Sequence, residues 1–115
     1  MPKDDLFCVG HILDMCRKAL AKTAGKTRDD YDADENLRLA LVHLIQTMGE
    51  AARRVSPGFQ EGHAHIPWTK VIGMRHKVVH DYLSVDYDLV WDVVTGNLPQ
   101  LTSDIERIVP PDETS

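Results

Sequence analysis

ENLRLALVHLIQTMGEAARRV, residues 35–55, places Leu37, Leu41, Leu44, Met48, Ala52 and Val55 three or four positions apart. An α-helix turns once every 3.6 residues or so, and this spacing therefore gathers the six side chains on one face that a core must cover. Asp32, three residues before Glu35, reads as a capping box with Asp in the Ser/Thr place. Ser56-Pro57-Gly58 stops the helix, since proline disfavours helical backbone in the residue before it.

On the N-terminal side, Leu6, Val9, Leu13, Cys16 and Leu20 repeat the same period, so a first helix is expected there. The polar stretch from Lys22 to Asp34 reads as a loop. On the C-terminal side, residues 57 to 66 read as a second polar connection. Pro67 suits the first turn of a third helix, from about Trp68 to about His80. Ser84-Val85-Asp86 is a break, with Asp86 capping a fourth helix that buries Val90, Val94, Leu101, Ile105 and Ile108. Pro99 kinks that helix or begins a new segment. No alternating β-branched pattern and no internal repeat occurs. The expectation is an all-α, up-and-down four-helix bundle, one domain over residues 1–109 with a disordered tail at 110–115.

The 115 residues suffice for one modest core. No apolar run reaches the roughly 18 residues of a membrane span, and MPKDDLF lacks a signal-peptide core, which together predict a cytoplasmic protein without membrane contact. Cys8 and Cys16 lie eight residues apart on one expected helix, about 12 Å along its axis. That is too far for a disulfide, so both are expected as free thiols in a reducing compartment. A net charge of −5 argues against a whole-body electrostatic grip on nucleic acid. Any such contact needs a local basic patch or a second copy of the chain.

The densest chemistry lies in Met74-Arg75-His76-Lys77-Val78-Val79-His80-Asp81-Tyr82. A fixed cation, an imidazole that titrates near neutrality and a phenol follow one another as Arg-x4-His-x-Tyr, a set suited to phosphate chemistry. With about 100° per residue, Arg75 falls inside the apolar arc of Val71, Met74 and Val78, while Lys70 and Lys77 face water. A cation in that arc is costly unless paired or placed at a cleft or interface. The structural reading gives it a carboxylate partner, with Glu50 as the candidate. His80 lies about 140° round from Arg75 on an ideal helix. The two therefore meet only if the helix ends near His80, if Arg75 reaches across, or if two chains face each other.

Other sites are weaker. His76 and His80 have the i, i+4 spacing of a metal pair, but Lys77 stands where a zinc-protease pattern needs Glu. His63 and His65 add no third ligand with recognisable spacing, so no metal and no cofactor is expected. Trp68 and Trp91 read as core or interface anchors.

Ile66-Pro67-Trp68, Val71-Ile72-Gly73-Met74-Arg75, His80, Tyr82 and Val85-Asp86-Tyr87 closely resemble the HepT-like HEPN ribonucleases. Gly49-Glu50-Ala51-Ala52, Val90-Trp91-Asp92 and Leu98-Pro99 extend the resemblance over nearly the whole chain. It implies a homodimeric HEPN bundle and a metal-independent endoribonuclease, the toxin of a type VII toxin–antitoxin module. It further implies Arg75 and His80 as the catalytic pair in a cleft shared by two chains, with His76, Lys77 and Glu50 in support. The implied partner is a minimal nucleotidyltransferase antitoxin that attaches AMP to Tyr82 and silences the nuclease. Two positions depart from the usual pattern: His76 stands where Asn or Asp is common, and Asp81 where Gly is often found. Two other classes of function stand beside this one. One is a weakly active or inactive bundle that serves as binding partner and modification target of the nucleotidyltransferase; the other is a helical interaction domain with Arg75 structurally paired.

Overall fold

A computed structural model describes residues 3–81 and 84–109, and the side chains of residues 3, 80 and 81 are not among those described. The tail at 110–115 and Tyr82 thus lie outside the described residues.

The described chain is predominantly helical. Helix α1 spans Lys3–Thr23, α2 Arg28–Ala33, α3 Glu35–Arg53, α4 Pro57–Gly62 and α5 Trp68–Val78. Two short strands follow, β1 at Val79–Asp81 and β2 at Ser84–Val85, and then α6 at Tyr87–Asp92, a π-helical turn at Val93–Asn97 and α7 at Leu98–Glu106. Helix α1 packs on α3 and α7, and α3 packs on α5. The core takes Val9, Leu13 and Cys16 from α1, and Leu37, Leu41, Leu44, Met48 and Ala52 from α3. Val71, Met74 and Val78 come from α5, and Leu98, Leu101 and Ile105 from α7. These are the faces the periodicity selects. Among the described residues no helix is long and apolar enough to cross a membrane.

Four local expectations are corrected. The stretch read as a loop between Lys22 and Asp34 contains α2, whose capping box is Thr27 with Asp30 rather than Asp32 with Glu35. Asp34 caps α3 by accepting from the Leu37 amide at 3.0 Å. A six-residue helix with one apolar anchor shows no periodicity, and here the anchor is Tyr31. Its ring is fully buried, 5.0 Å from the ring of Trp91, and its hydroxyl donates to the Tyr87 carbonyl at 2.8 Å.

The connection at 57–66 likewise holds α4, begun by Pro57 in its first turn, capped by Ser56 and anchored by the buried ring of Phe59. The same Ser56 binds the buried carboxylate of Asp5, its amide at 2.8 Å and its hydroxyl at 2.7 Å, which ties the start of α1 to the α3–α4 junction.

The third helix ends at Val78, two residues earlier than expected. Val78 and Val79 are adjacent β-branched residues, which favour extended backbone. From Val79 the chain pairs antiparallel with β2, Val79 opposite Val85 and Asp81 opposite Ser84, and the Asp86 amide closes the turn onto the Val78 carbonyl at 2.7 Å. Strands this short leave no alternation in the sequence. Asp86 caps α6 as expected, accepting from Leu89.

Pro99 begins a new segment, as one of its two expected effects. It has no N–H for the carbonyl four residues back, and its ring needs room. The chain answers with the wide π turn, in which the Leu98 amide reaches the Val93 carbonyl.

Candidate functional site

Arg75 leaves the last turn of α5 toward α3, where its Nη1 pairs with Oε1 of Glu50. Glu50 also accepts from Arg53 at 3.0 Å. Both members of the Arg75–Glu50 pair are half-buried. The apolar arc therefore contains its cation on the terms set by electrostatics: a carboxylate opposes it, and part of the guanidinium reaches water.

A small residue at position 49, here Gly49, makes this approach possible. A β-carbon at that position would lie 3.4 Å from the Arg75 β-carbon and 3.4 Å from the Ile72 carbonyl oxygen. Any longer side chain on this face of α3 would hold α5 away and pull Arg75 off Glu50.

Arg75 and Glu50 line a cleft of about 500 Å³ together with residues of α1 and α3. Phe7, Cys8 and His11 come from α1, His43, Gln46, Thr47 and Ala51 from α3, and Arg54 from the cap at the end of α3. Of the polar residues that line it, His43, Thr47, Glu50 and Arg54 recur at i, i+4, i+7 and i+11. This second, hydrophilic stripe beside the apolar one is the signal that the periodicity reading of α3 passed over. Burial raises the Cys8 thiol above its ordinary value, partly offset by the nearby Arg54 guanidinium. Cys16 is buried deeper, and desolvation pushes it to about 11. Both are free thiols.

The other expected site residues are dispersed. His76 is exposed and does not line the cleft. Lys77 borders a different cavity of about 370 Å³ between α5 and α7, where Lys70, Asn97 and Asp104 also stand. The His80 backbone lies in β1, past the end of α5. The helical angle that kept it apart from Arg75 therefore no longer applies; the early helix end is one of the three conditions under which the two residues meet. The imidazole itself is outside the described side chains. His63 is committed elsewhere, with Nδ1 3.0 Å from the Phe59 carbonyl oxygen and its ring stacked on Phe59 at 4.2 Å. Trp68 is buried and donates to the His63 carbonyl at 3.0 Å, an anchor as expected. Among the described residues no three His, Cys, Asp or Glu side chains converge as a metal-ligand set.

The described site is thus a cleft in a helical domain, with Arg75 held in it by Glu50. The family model described as Ribonuclease HepT-like matches residues 12–108, and the chain belongs to that family. Among curated relatives, "Putative RNase TTE0752" of Caldanaerobacter subterraneus subsp. tengcongensis is 30% identical over 99 residues, 86% of this chain and 88% of that protein. "Probable ribonuclease HepT" of Thermococcus cleftensis is 29% identical, covering 70% of this chain and 73% of that one. "Gamma-glutamylcyclotransferase and putative RNase MJ0434" of Methanocaldococcus jannaschii is 33% identical over 95% of this chain. In that case the chain spans about half of the relative, 49% of its length. No solved structure matches.

Proposed function

We propose that this protein is a metal-independent endoribonuclease with Arg75 and His80 as its catalytic pair. The observation that carries the reading is the combination of family membership over residues 12–108 with an Arg75 guanidinium held at a cleft just before α5 ends. In the proposed reaction the ribose 2′-hydroxyl attacks the adjacent phosphate and the 5′-oxygen of the next nucleotide leaves. The products are a 2′,3′-cyclic phosphate and a free 5′-hydroxyl. The His80 imidazole takes the proton from the 2′-hydroxyl or returns one to the leaving oxygen. Arg75 holds the phosphate and stabilises the charge that builds on its oxygens. Glu50 engages one terminal nitrogen and sets the plane of the fork.

The working unit is a homodimer of up-and-down four-helix subunits, in which the Arg75–His80 segments of both chains face one cleft and bring His76 and Lys77 near it. Pairing two such segments concentrates positive potential on an otherwise acidic body. In the cytoplasm the protein is the toxin of a type VII toxin–antitoxin module. A minimal nucleotidyltransferase silences it by attaching AMP to Tyr82, which fills the cleft with bulk and negative charge.

The second reading, a weakly active bundle that is mainly a modification target, is favoured by one contact: Glu50 already neutralises Arg75. Incubating the purified protein with RNA in excess chelator separates the two. Cleavage that persists in chelator and disappears in Arg75→Ala supports the nuclease; an uncut substrate supports the target protein. Co-expression with the neighbouring nucleotidyltransferase, followed by intact mass, tests Tyr82: wild type gains AMP and Tyr82→Phe does not.

A further inference from the structure

The cleft beside Arg75 is larger than one phosphate requires, and its far wall is aromatic. Phe7 is 76% exposed on α1, and its ring lies parallel to that of His11 within 1°, centroids 6.4 Å apart. An exposed phenylalanine is costly to keep in water. This one lines the groove.

The groove is basic where the body is acidic. Arg54 and Arg75 line it against the single carboxylate of Glu50, with His11 and His43 beside them, in a chain of net charge −5. Arg54 is exposed and, among the described residues, has no carboxylate partner. A flat apolar face next to unopposed guanidinium is the combination that holds unpaired nucleotides: the base stacks and the backbone phosphate is neutralised.

We propose that the α1–α3 groove binds a nucleotide flanking the scissile phosphate in single-stranded RNA, its base stacked on Phe7 and its phosphate held by Arg54. The proposal rests on RNA being the substrate, and it adds a discrimination against duplex, whose bases are already stacked and cannot reach Phe7. The other large exposed hydrophobic residue among those described, Leu39, lies on α3 away from the cleft lining, so Phe7 is the large exposed apolar side chain that the groove offers a base.

The test uses the full chain and a fluorescein-labelled single-stranded DNA decamer, which lacks the 2′-hydroxyl and is not cut. Phe7 is a surface residue, so its replacement leaves the fold within about 0.5 kcal/mol. Phe7→Ala weakens decamer binding by about 10-fold or more and Phe7→Trp restores it. Arg54→Ala flattens the salt dependence of log affinity by about 0.7 in slope, one phosphate contact on a single strand. On an RNA substrate Phe7→Ala raises KM and leaves kcat in place. Unchanged decamer affinity in Phe7→Ala, or equal binding of a blunt duplex, overturns the proposal. So does a change of sedimentation coefficient in Phe7→Ala, which would assign the groove to a second copy of the chain. If wild type binds the decamer through Phe7 but cuts no RNA, the nuclease reading fails and the groove stands. If it cuts RNA with KM indifferent to Phe7, the reverse holds.

Discussion

The guanidinium of Arg75, on α5, is paired with the carboxylate of Glu50, on α3, beside Gly49, whose position lies directly against the α5 backbone. The pair does two separable things. It lets a cation sit at the edge of an apolar helix face, and it fixes the direction of the guanidinium that the proposed chemistry uses.

Its share in stability is small. The two side chains are 40% and 34% exposed, and pairs so open to water contribute about 1 kcal/mol or less. Glu50→Gln keeps an acceptor for Arg75 but drops the charge. Chemical denaturation should show a loss within that limit, while kcat for RNA falls by about 10-fold from a misdirected guanidinium, with KM unchanged or lower. A kcat equal to wild type would remove Glu50 from any positioning role.

Gly49 is the steric half of the same arrangement. Gly49→Ala adds only a β-carbon at 3.4 Å from Arg75 and Ile72, a contact the helices accommodate with a shift of a few tenths of an ångström. Gly49→Leu does not fit, and overpacking of this kind costs about 1–3 kcal/mol. The expected pattern is near-normal stability and cleavage in the alanine variant and a loss of both in the leucine variant. Equal behaviour of the two would show that α3 and α5 are not held together at this point.

Alkaline stability follows from two buried acids. Burial pushes the Cys16 thiol from 9.0 to about 11, with the nearby Thr102 hydroxyl opposing, and pushes the Tyr31 phenol from 10.0 to about 12, with Arg28 and Arg38 opposing. A group whose folded pKa is raised stays neutral while the unfolded chain ionises. Its stabilisation is therefore full below its unfolded pKa and is lost as pH climbs to the folded one. Urea midpoints should hold steady up to about pH 9 and then fall through about pH 12. In Cys16→Ala and Tyr31→Phe that fall becomes shallower, each in its own window. Tyr31→Phe also leaves the Tyr87 carbonyl without its donor, at about 1–2 kcal/mol near neutrality.

Much of this fold was legible because long helices must repeat. Leu37 through Ala52 recur on one face, and that face is the buried one. The pairing of Arg75 with Glu50 was legible in part for an electrostatic reason: a cation in an apolar arc needs a partner, a cleft or an interface, and Glu50 was the candidate partner. Helices α2 and α4 were not, because each is one turn and a half long and rests on a single ring, Tyr31 or Phe59. Nor was the bond from Asp5 to Ser56, which joins positions 51 residues apart with no local signal. The cleft was half legible: Arg75 came from its own helix, whereas Phe7, His43 and Arg54 join it only once α1 packs on α3.

The central claim is RNA cleavage by the chain's own side chains through the ribose 2′-hydroxyl. The most direct measurement follows a single-stranded RNA in excess chelator with wild type, Arg75→Ala and His80→Ala, together with the same oligonucleotide carrying 2′-deoxyribose throughout. The account predicts fragments ending in 2′,3′-cyclic phosphate from wild type alone, no cutting of the deoxy strand, and unaltered helical circular dichroism in both variants. Cleavage of the deoxy strand, or cleavage undiminished in His80→Ala, would contradict it.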